Sequence, residues 1–187
     1  ILFNGGPHGS LNTAGYTGTV TVTTAATQAI DGEGDIAFTG AAFSVLAGAT
    51  LKGSATFASQ VTVNGTLAPG NSPGLMTYES GLSFGSTAVL DWEFDGGLEI
   101  VATQEDLDAA RGTSYDALNV TGGSLVIASG ATLAITPPEN HDYSGLFWDT
   151  PRLFSVIAAS EGVGITGQFV FANDTATLSV GGEGRWD

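Results

Sequence analysis

The sequence predicts an all-β solenoid. Three observations point that way: Thr/Val-rich runs with a period of two, glycine corners that recur just ahead of leucines, and a shortage of the residues that build helix faces. The 187 residues include 28 Gly, only 12% charged side chains, one Lys (Lys52) and three Arg (Arg111, Arg152, Arg185). With 42% hydrophobic residues the chain is long and apolar enough to bury a substantial core as one structural unit.

The alternation is read in order along the chain. Thr19-Val20-Thr21-Val22-Thr23 opens it, and Val61-Thr62-Val63 runs into Asn64-Gly65-Thr66-Leu67. In Ala88-Val89-Leu90-Asp91-Trp92-Glu93-Phe94, Leu90, Trp92 and Phe94 share one face and Asp91 and Glu93 the other. Leu118-Asn119-Val120, Leu125-Val126-Ile127, Leu133-Ala134-Ile135 and Leu178-Ser179-Val180 continue the pattern. A glycine-to-leucine unit recurs at Gly48–Leu51, Gly65–Leu67, Gly81-Leu82, Gly123–Leu125 and Gly130–Leu133. The steps from Leu51 to Leu67 to Leu82 are near 16 residues, which suggests stacked coils with a continuous apolar stripe. A β-sandwich has similar strands, so the alternation leaves that fold as the alternative.

Two segments break the rhythm. Thr103 to Arg111 has an N-cap threonine, acids in the first turn and Ala/Arg at its end, which predicts a short helix near 103–111. Pro137 to Tyr143 reads as a turn-rich connector. A strand over Leu153-Phe154-Ser155-Val156-Ile157 and a closing hairpin near Phe169 to Val180 are expected after it. Residues 1–136 are thus read as solenoid coils and 137–187 as a C-terminal β cap of the same unit.

The net charge of -15 repels nucleic acid and anionic membranes, whose phosphates require clustered Lys and Arg. No cysteine is present, which excludes disulfides and thiolate metal sites. No stretch approaches the ~20 apolar residues of a membrane span. The opening Ile-Leu-Phe-Asn-Gly has neither an initiator Met nor a signal peptide, the expectation for an excised portion of a longer exported product.

Several groups invite a chemical reading. Gly70-Asn71-Ser72-Pro73-Gly74 fits G-x-S-x-G, but a nucleophile elbow needs strand, turn and helix. Pro69 and Pro73 flank this serine and a strand-like Leu75-Met76-Thr77-Tyr78 follows, so a turn between coils is expected. Asp31, Glu33 and Asp35 alternate with glycines and form a candidate calcium loop that lacks the later bidentate Glu; a solvated acidic turn is the plainer reading. Asp91 and Glu93 lie about 7 Å apart by strand rise, a separation glycosidases use, although outward-facing acids are ordinarily just solvated. Trp92 alternates with Leu90 and Phe94 and is expected in the core, leaving Trp148 as the better sugar-stacking candidate, and Trp186 as a residue that could dock a neighbour. Asn64-Gly65-Thr66, Asn119-Val120-Thr121 and Asn173-Asp174-Thr175 fit the N-glycosylation pattern, which has meaning only in a eukaryotic secretory pathway.

The run Asn64-Gly65-Thr66-Leu67-Ala68-Pro69-Gly70-Asn71-Ser72-Pro73-Gly74 resembles the autotransporter-associated β-strand repeat, also called the passenger-associated transport repeat. Tyr115-Asp116-Ala117-Leu118-Asn119-Val120-Thr121-Gly122 matches the family's following Y-D-x-L-x-V-x-G segment, and Gly130 to Leu133 its G-A-T-L strand. The matched order covers about 40–136. The resemblance implies a right-handed β-helix from a large exported bacterial surface protein, of the kind that forms stalk or scaffold. The resulting expectation is a non-enzymatic, extracellular or cell-surface module, adhesin-like, that self-associates through coil ends or edges into a fibre or layer. The alternative is a β-helix that binds surface glycans or cleaves polysaccharide.

Overall fold

The computed structural model describes residues 2–3, 6–8, 19–22, 26–30, 37–38, 42–70, 73–95, 103–138, 146–149 and 151–171, with backbone alone before residue 42 and at Leu146. The first strands are β1 (Leu2–Phe3) and β2 (Gly6–His8). β3 (Thr19–Val22), β4 (Ala26–Ile30) and β5 (Ala37–Phe38) follow. Next come β6 (Ala42–Val45), β7 (Thr50–Gly53) and β8 (Ala55–Phe57), then β9 (Val61–Val63), β10 (Thr66–Pro69) and β11 (Leu75–Tyr78). β12 (Leu82–Phe84) and β13 (Val89–Glu93) are separated from β14 (Ala117–Val120) by helix α1 (Gln104–Ala109). β15 (Ser124–Ile127) and β16 (Thr132–Thr136) precede a 3-10 turn at Leu146–Asp149. β17 (Ile157–Ala159), β18 (Gly164–Thr166) and β19 (Val170–Phe171) end the described chain.

These strands form three parallel sheets that the chain visits in rotation from β3 onward. Sheet A is ordered β1-β3-β6-β9-β12-β15-β18, sheet B β19-β16-β13-β10-β7-β4-β2, and sheet C β17-β14-β11-β8-β5. Each interior strand of a sheet pairs with the strand one coil earlier and one coil later, so backbone hydrogen bonds run along the stacking axis. The solenoid-like arrangement is all-β with minimal helix. A β-sandwich, with its two antiparallel sheets, is a different architecture from three parallel ones.

Register turns the sequence alternation into columns. In sheet A, Phe43 pairs with Val61, Val61 with Leu82, and Leu82 with Leu125. In sheet B, Leu51, Leu67, Leu90 and Leu133 stack in turn. In sheet C, Ala55, Met76, Leu118 and Ile157 form one column, and Phe57, Tyr78, Val120 and Ala159 another. The Phe57 and Tyr78 rings stack with centroids 5.2 Å apart and planes 6° from parallel. The inward side chains from Phe43 to Ile127 in these columns are buried, while their neighbours Ser44, Thr62, Ser83, Thr56 and Thr77 face outward. Tyr78 keeps its buried hydroxyl satisfied by donating to the Met76 sulfur at 3.2 Å, and burial pushes its phenol far above the usual range.

The glycine-to-leucine recurrence therefore has a different meaning from a single 16-residue period. Leu51 and Leu67 are true partners in sheet B, but Leu82 belongs to sheet A, and the next partner of Leu67 is Leu90. Leucines from columns on two different walls are interleaved in the sequence.

The corner from sheet A to sheet B repeats one device in three coils and is shortened to Asn64-Gly65 between β9 and β10. The backbone N–H of Ala49 donates to Leu46, that of Ala88 to Gly85, and that of Ala131 to Ala128. Each closing alanine is completely buried. Gly48 and Gly130 hold the third position with φ of 79° and 99°, which a side chain tolerates poorly.

The expected strand from Leu153 begins only at Ile157, because Leu153 and Ser155 give their backbone groups to side chains from another loop. β19 joins β16 in parallel, and the remainder of the hairpin expected near 169–180 lies outside the described residues.

Truncating the middle of the leucine column tests this packing. Leu67→Ala should lower unfolding stability by roughly 2–5 kcal/mol, whereas Val126→Ala on the outward face should cost less than about 1 kcal/mol. Urea denaturation with an unchanged m-value is the measurement.

Candidate functional site

The corner between sheets B and C differs from coil to coil. Ser54 alone links β7 to β8, and Gly70 to Gly74 link β10 to β11. Much longer excursions then leave the same corner in two successive coils, residues 94–116 before β14 and residues 137–156 before β17. Insertions carried on one face of a stacked array commonly form its binding face.

The Gly70–Gly74 corner is pinched. A side chain at Gly70 would collide with the Gly74 backbone, and one at Gly74 would collide with Gly70. Gly70 also has a φ of 81° and exchanges backbone hydrogen bonds with Gly53. Pro69 is buried and Pro73 half-buried, whereas Asn71 and Ser72 lie outside the described residues. After Gly74 the chain enters strand β11 directly, and the helix that a nucleophile elbow requires does not follow.

Asp116 ties this corner to the first excursion. Its carboxyl is fully buried, with Oδ1 accepting from the Gly74 N–H at 2.8 Å and Oδ2 from the Glu93 N–H at 3.0 Å. The Asp116 N–H donates to the Glu93 carbonyl at 2.9 Å, and its own carbonyl accepts from Trp92 Nε1 at 2.8 Å. The Ala117 N–H completes the junction by donating to the Gly74 carbonyl. Burial is the main force that raises the Asp116 pKa to about 7; the two amide donors oppose it, and the Glu93 and Asp91 charges add to the rise. The run that ends at Gly74 and the Tyr115-Asp116 segment, far apart in sequence, thus meet through one carboxylate.

Above Asp116 the excursion is closed by a Phe94–Tyr115 bridge and by the Asp95 N–H donating to the Ser114 carbonyl. Helix α1 occupies its tip. Thr103 caps it in a reciprocal box with Asp106, and Leu107 is its buried residue. The second excursion packs on the first through an aromatic cluster: Trp92, Phe94, Tyr115 and Phe147 are buried, with Trp148 and Phe154 against them. The Phe154 ring lies edge-on to Trp92 at 5.1 Å and to Tyr115 at 5.2 Å.

Polar clamps join the two excursions. Arg111 donates from Nε to the Ser155 carbonyl at 2.7 Å, from Nη1 to Asn119 Oδ1 at 2.9 Å, and from Nη2 to the Leu118 carbonyl at 2.9 Å. The Gln104 side-chain amide donates to the Leu153 carbonyl and accepts the Leu153 N–H. Within the second excursion, Arg152 places its guanidinium 4.7 Å from the Phe147 ring centre.

Trp92 is core, as the alternation indicated. Trp148 is half-buried against Phe94 and Phe147, so it belongs to the aromatic cluster more than to an open stacking platform. Asp91 and Glu93 are half-buried on the outward face of β13, and Asp91 accepts a 2.7 Å hydrogen bond from Thr136. Asp31, Glu33, Asp35 and Trp186 lie outside the described residues. Among the described residues no group of three or more His, Asp or Glu could hold a metal ion, and no helix is long and apolar enough to cross a membrane. Sequence reasoning missed Asp116 and Arg111. The available signal was a lone acid immediately before an apolar strand, and one of very few cations in the chain.

Arg111→Ala should destabilise the paired excursions by about 2–3 kcal/mol, since its fork makes three charge-assisted bonds in a half-buried place. Arg111→Lys should recover little of this, because an ammonium cannot span the same acceptors. Limited proteolysis is the readout, with cleavage within 94–116 preceding loss of the solenoid. Comparison of the chain with protein-family models, curated proteins and solved structures finds no match.

Proposed function

We propose that this chain is a structural module: a right-handed β-helix segment, secreted or displayed on a bacterial surface, that serves as scaffold and presents the paired excursions. The observation that carries this reading is the rotation of the chain through three parallel sheets in matched register, with two long insertions leaving the same corner in successive coils. Right-handed crossover is the overwhelming preference for parallel strands joined within one sheet, which supports that hand. The contact between Gly74 and Asp116 supports kinship with the autotransporter-associated repeat, because it joins two segments that carry the resemblance. The acidic composition supports an extracellular setting in which nucleic acid is not a partner.

The scaffold reading assigns Asp91 and Glu93 no catalytic work. It also includes self-association. Ile165, Val170 and Phe171 are exposed on the outermost described strands, whose backbone edges can accept another strand. The charge of -15 opposes that approach, so screening by salt should promote it.

Size-exclusion chromatography and negative-stain microscopy over a concentration and salt series test the reading. Larger species that grow with concentration, and more so at about 0.5 M salt than at low salt, are expected. A monomer under every condition would remove self-association. A glycan array and a reducing-sugar assay address the alternative; specific binding or turnover there would replace the scaffold with a carbohydrate-active β-helix.

A further inference from the structure

Asp116 is a buried acid that no cation among the described residues matches. The charged groups that act on its carboxyl, Glu93 and Asp91 from β13, are both acids. Among the described residues of the corner, Gly74 offers it a backbone N–H, and β14, which it precedes, carries no ionisable residue. On the excursion side, Tyr115 adjoins it in the chain, its phenol raised by burial first, and Arg111 and Asp108 act on that phenol. The Arg111 guanidinium itself is committed to Ser155, Asn119 and Leu118.

The position of this acid matters because the neck of the excursion closes on it. Glu93 and Asp116 are the last residues to meet before the chain re-enters the solenoid, and they are joined in both directions. With the neck shut the carboxyl is enclosed. With the neck open it would meet water and titrate as an ordinary aspartate, near ~3.9.

We propose that Asp116 is a proton-operated clasp on the α1 excursion: uncharged, it favours the closed neck, and its ionisation makes local opening easier. The two amide donors partly offset burial and so hold the transition within a range that the surroundings of an exported protein can reach.

The sign follows from linkage. The closed state holds the proton more tightly than the open state, so opening releases it. The stabilisation of the closed neck is fully present below the ordinary aspartate range and is lost as pH rises through the closed-state titration at about 7. Between those limits the opening constant increases by up to about tenfold per pH unit; above them it is level.

Native-state amide exchange of the intact chain tests this. After correction for the intrinsic pH dependence of exchange, protection of the Gly74, Glu93, Asp95 and Asp116 amides should fall severalfold between about pH 5.5 and 6.5 and level off above about pH 7.5. The Asn64 amide, bonded to Val45 between two coils, is the internal control and should not follow. In Asp116→Asn the slope at the neck should vanish. Equal slopes at the neck and at Asn64, a flat neck in the natural chain, or the same slope in the variant would overturn the clasp. Should the variant not fold, the carboxyl carbon shift of Asp116 in the natural chain decides: a midpoint near neutral supports the proposal, and one near ~4 defeats it.

Discussion

Hydrogen bonding between parallel strands in matched register constrains everything else in this molecule. Once Thr66 pairs with Thr50 and with Val89, the inward or outward assignment of every residue in those strands is common to all three coils. A single-residue slip would turn a whole column from the core to solvent. Variation is therefore pushed out of the walls and into the corners. The corner between sheets A and B accepts little, with a four-residue turn closing on a buried alanine in three coils and Asn64-Gly65 alone in another. The corner between sheets B and C accepts a single serine, a five-residue loop or an excursion of some twenty residues.

A long insertion at that corner creates a problem of its own, because its apolar side chains lie beyond the solenoid interior. The solution is a second, aromatic core. Trp92 at the end of β13 bridges the two: its ring meets Phe94, Tyr115 and Phe154, while its Nε1 reaches the Asp116 carbonyl inside the corner. Two excursions from adjacent coils bury one another, so neither needs a full hydrophobic core alone. Their few polar links, through Gln104 and Arg111, fix relative position where aromatic packing alone is tolerant.

Much of the wall structure was legible in the residues. Val61-Thr62-Val63 and Leu90-Asp91-Trp92 show their inward faces by alternation, and Thr103 shows its cap by the acid three positions on. The assignment of strands to sheets was not legible. Leu82 follows Leu67 at a step close to the Leu51–Leu67 step, and nothing local says that the two belong to different walls. The excursions blur the period further, since after Val61 the next partner of Leu82 comes only at Leu125. Asp116 was hidden for a related reason: its donors, Gly74 and Glu93, are 42 and 23 residues away, so its burial and partners exist only after the coils stack. Trp148 looked available because loop tryptophans often are, but the ring partners that occupy it include one from another coil.

The closed neck has a consequence for how such a surface can diversify. The Phe94–Tyr115 bridge and the Asp95–Ser114 bond use main-chain atoms, so they ask little of the sequence between them. What lies beyond the neck is held by side chains instead: Gln104 and Arg111 reach the second excursion, and Arg111 also reaches Leu118 and Asn119 of β14. A segment exchanged there must therefore meet the spacing of the neck and also supply new partners for the second excursion, so the two excursions are bound to change as a matched pair.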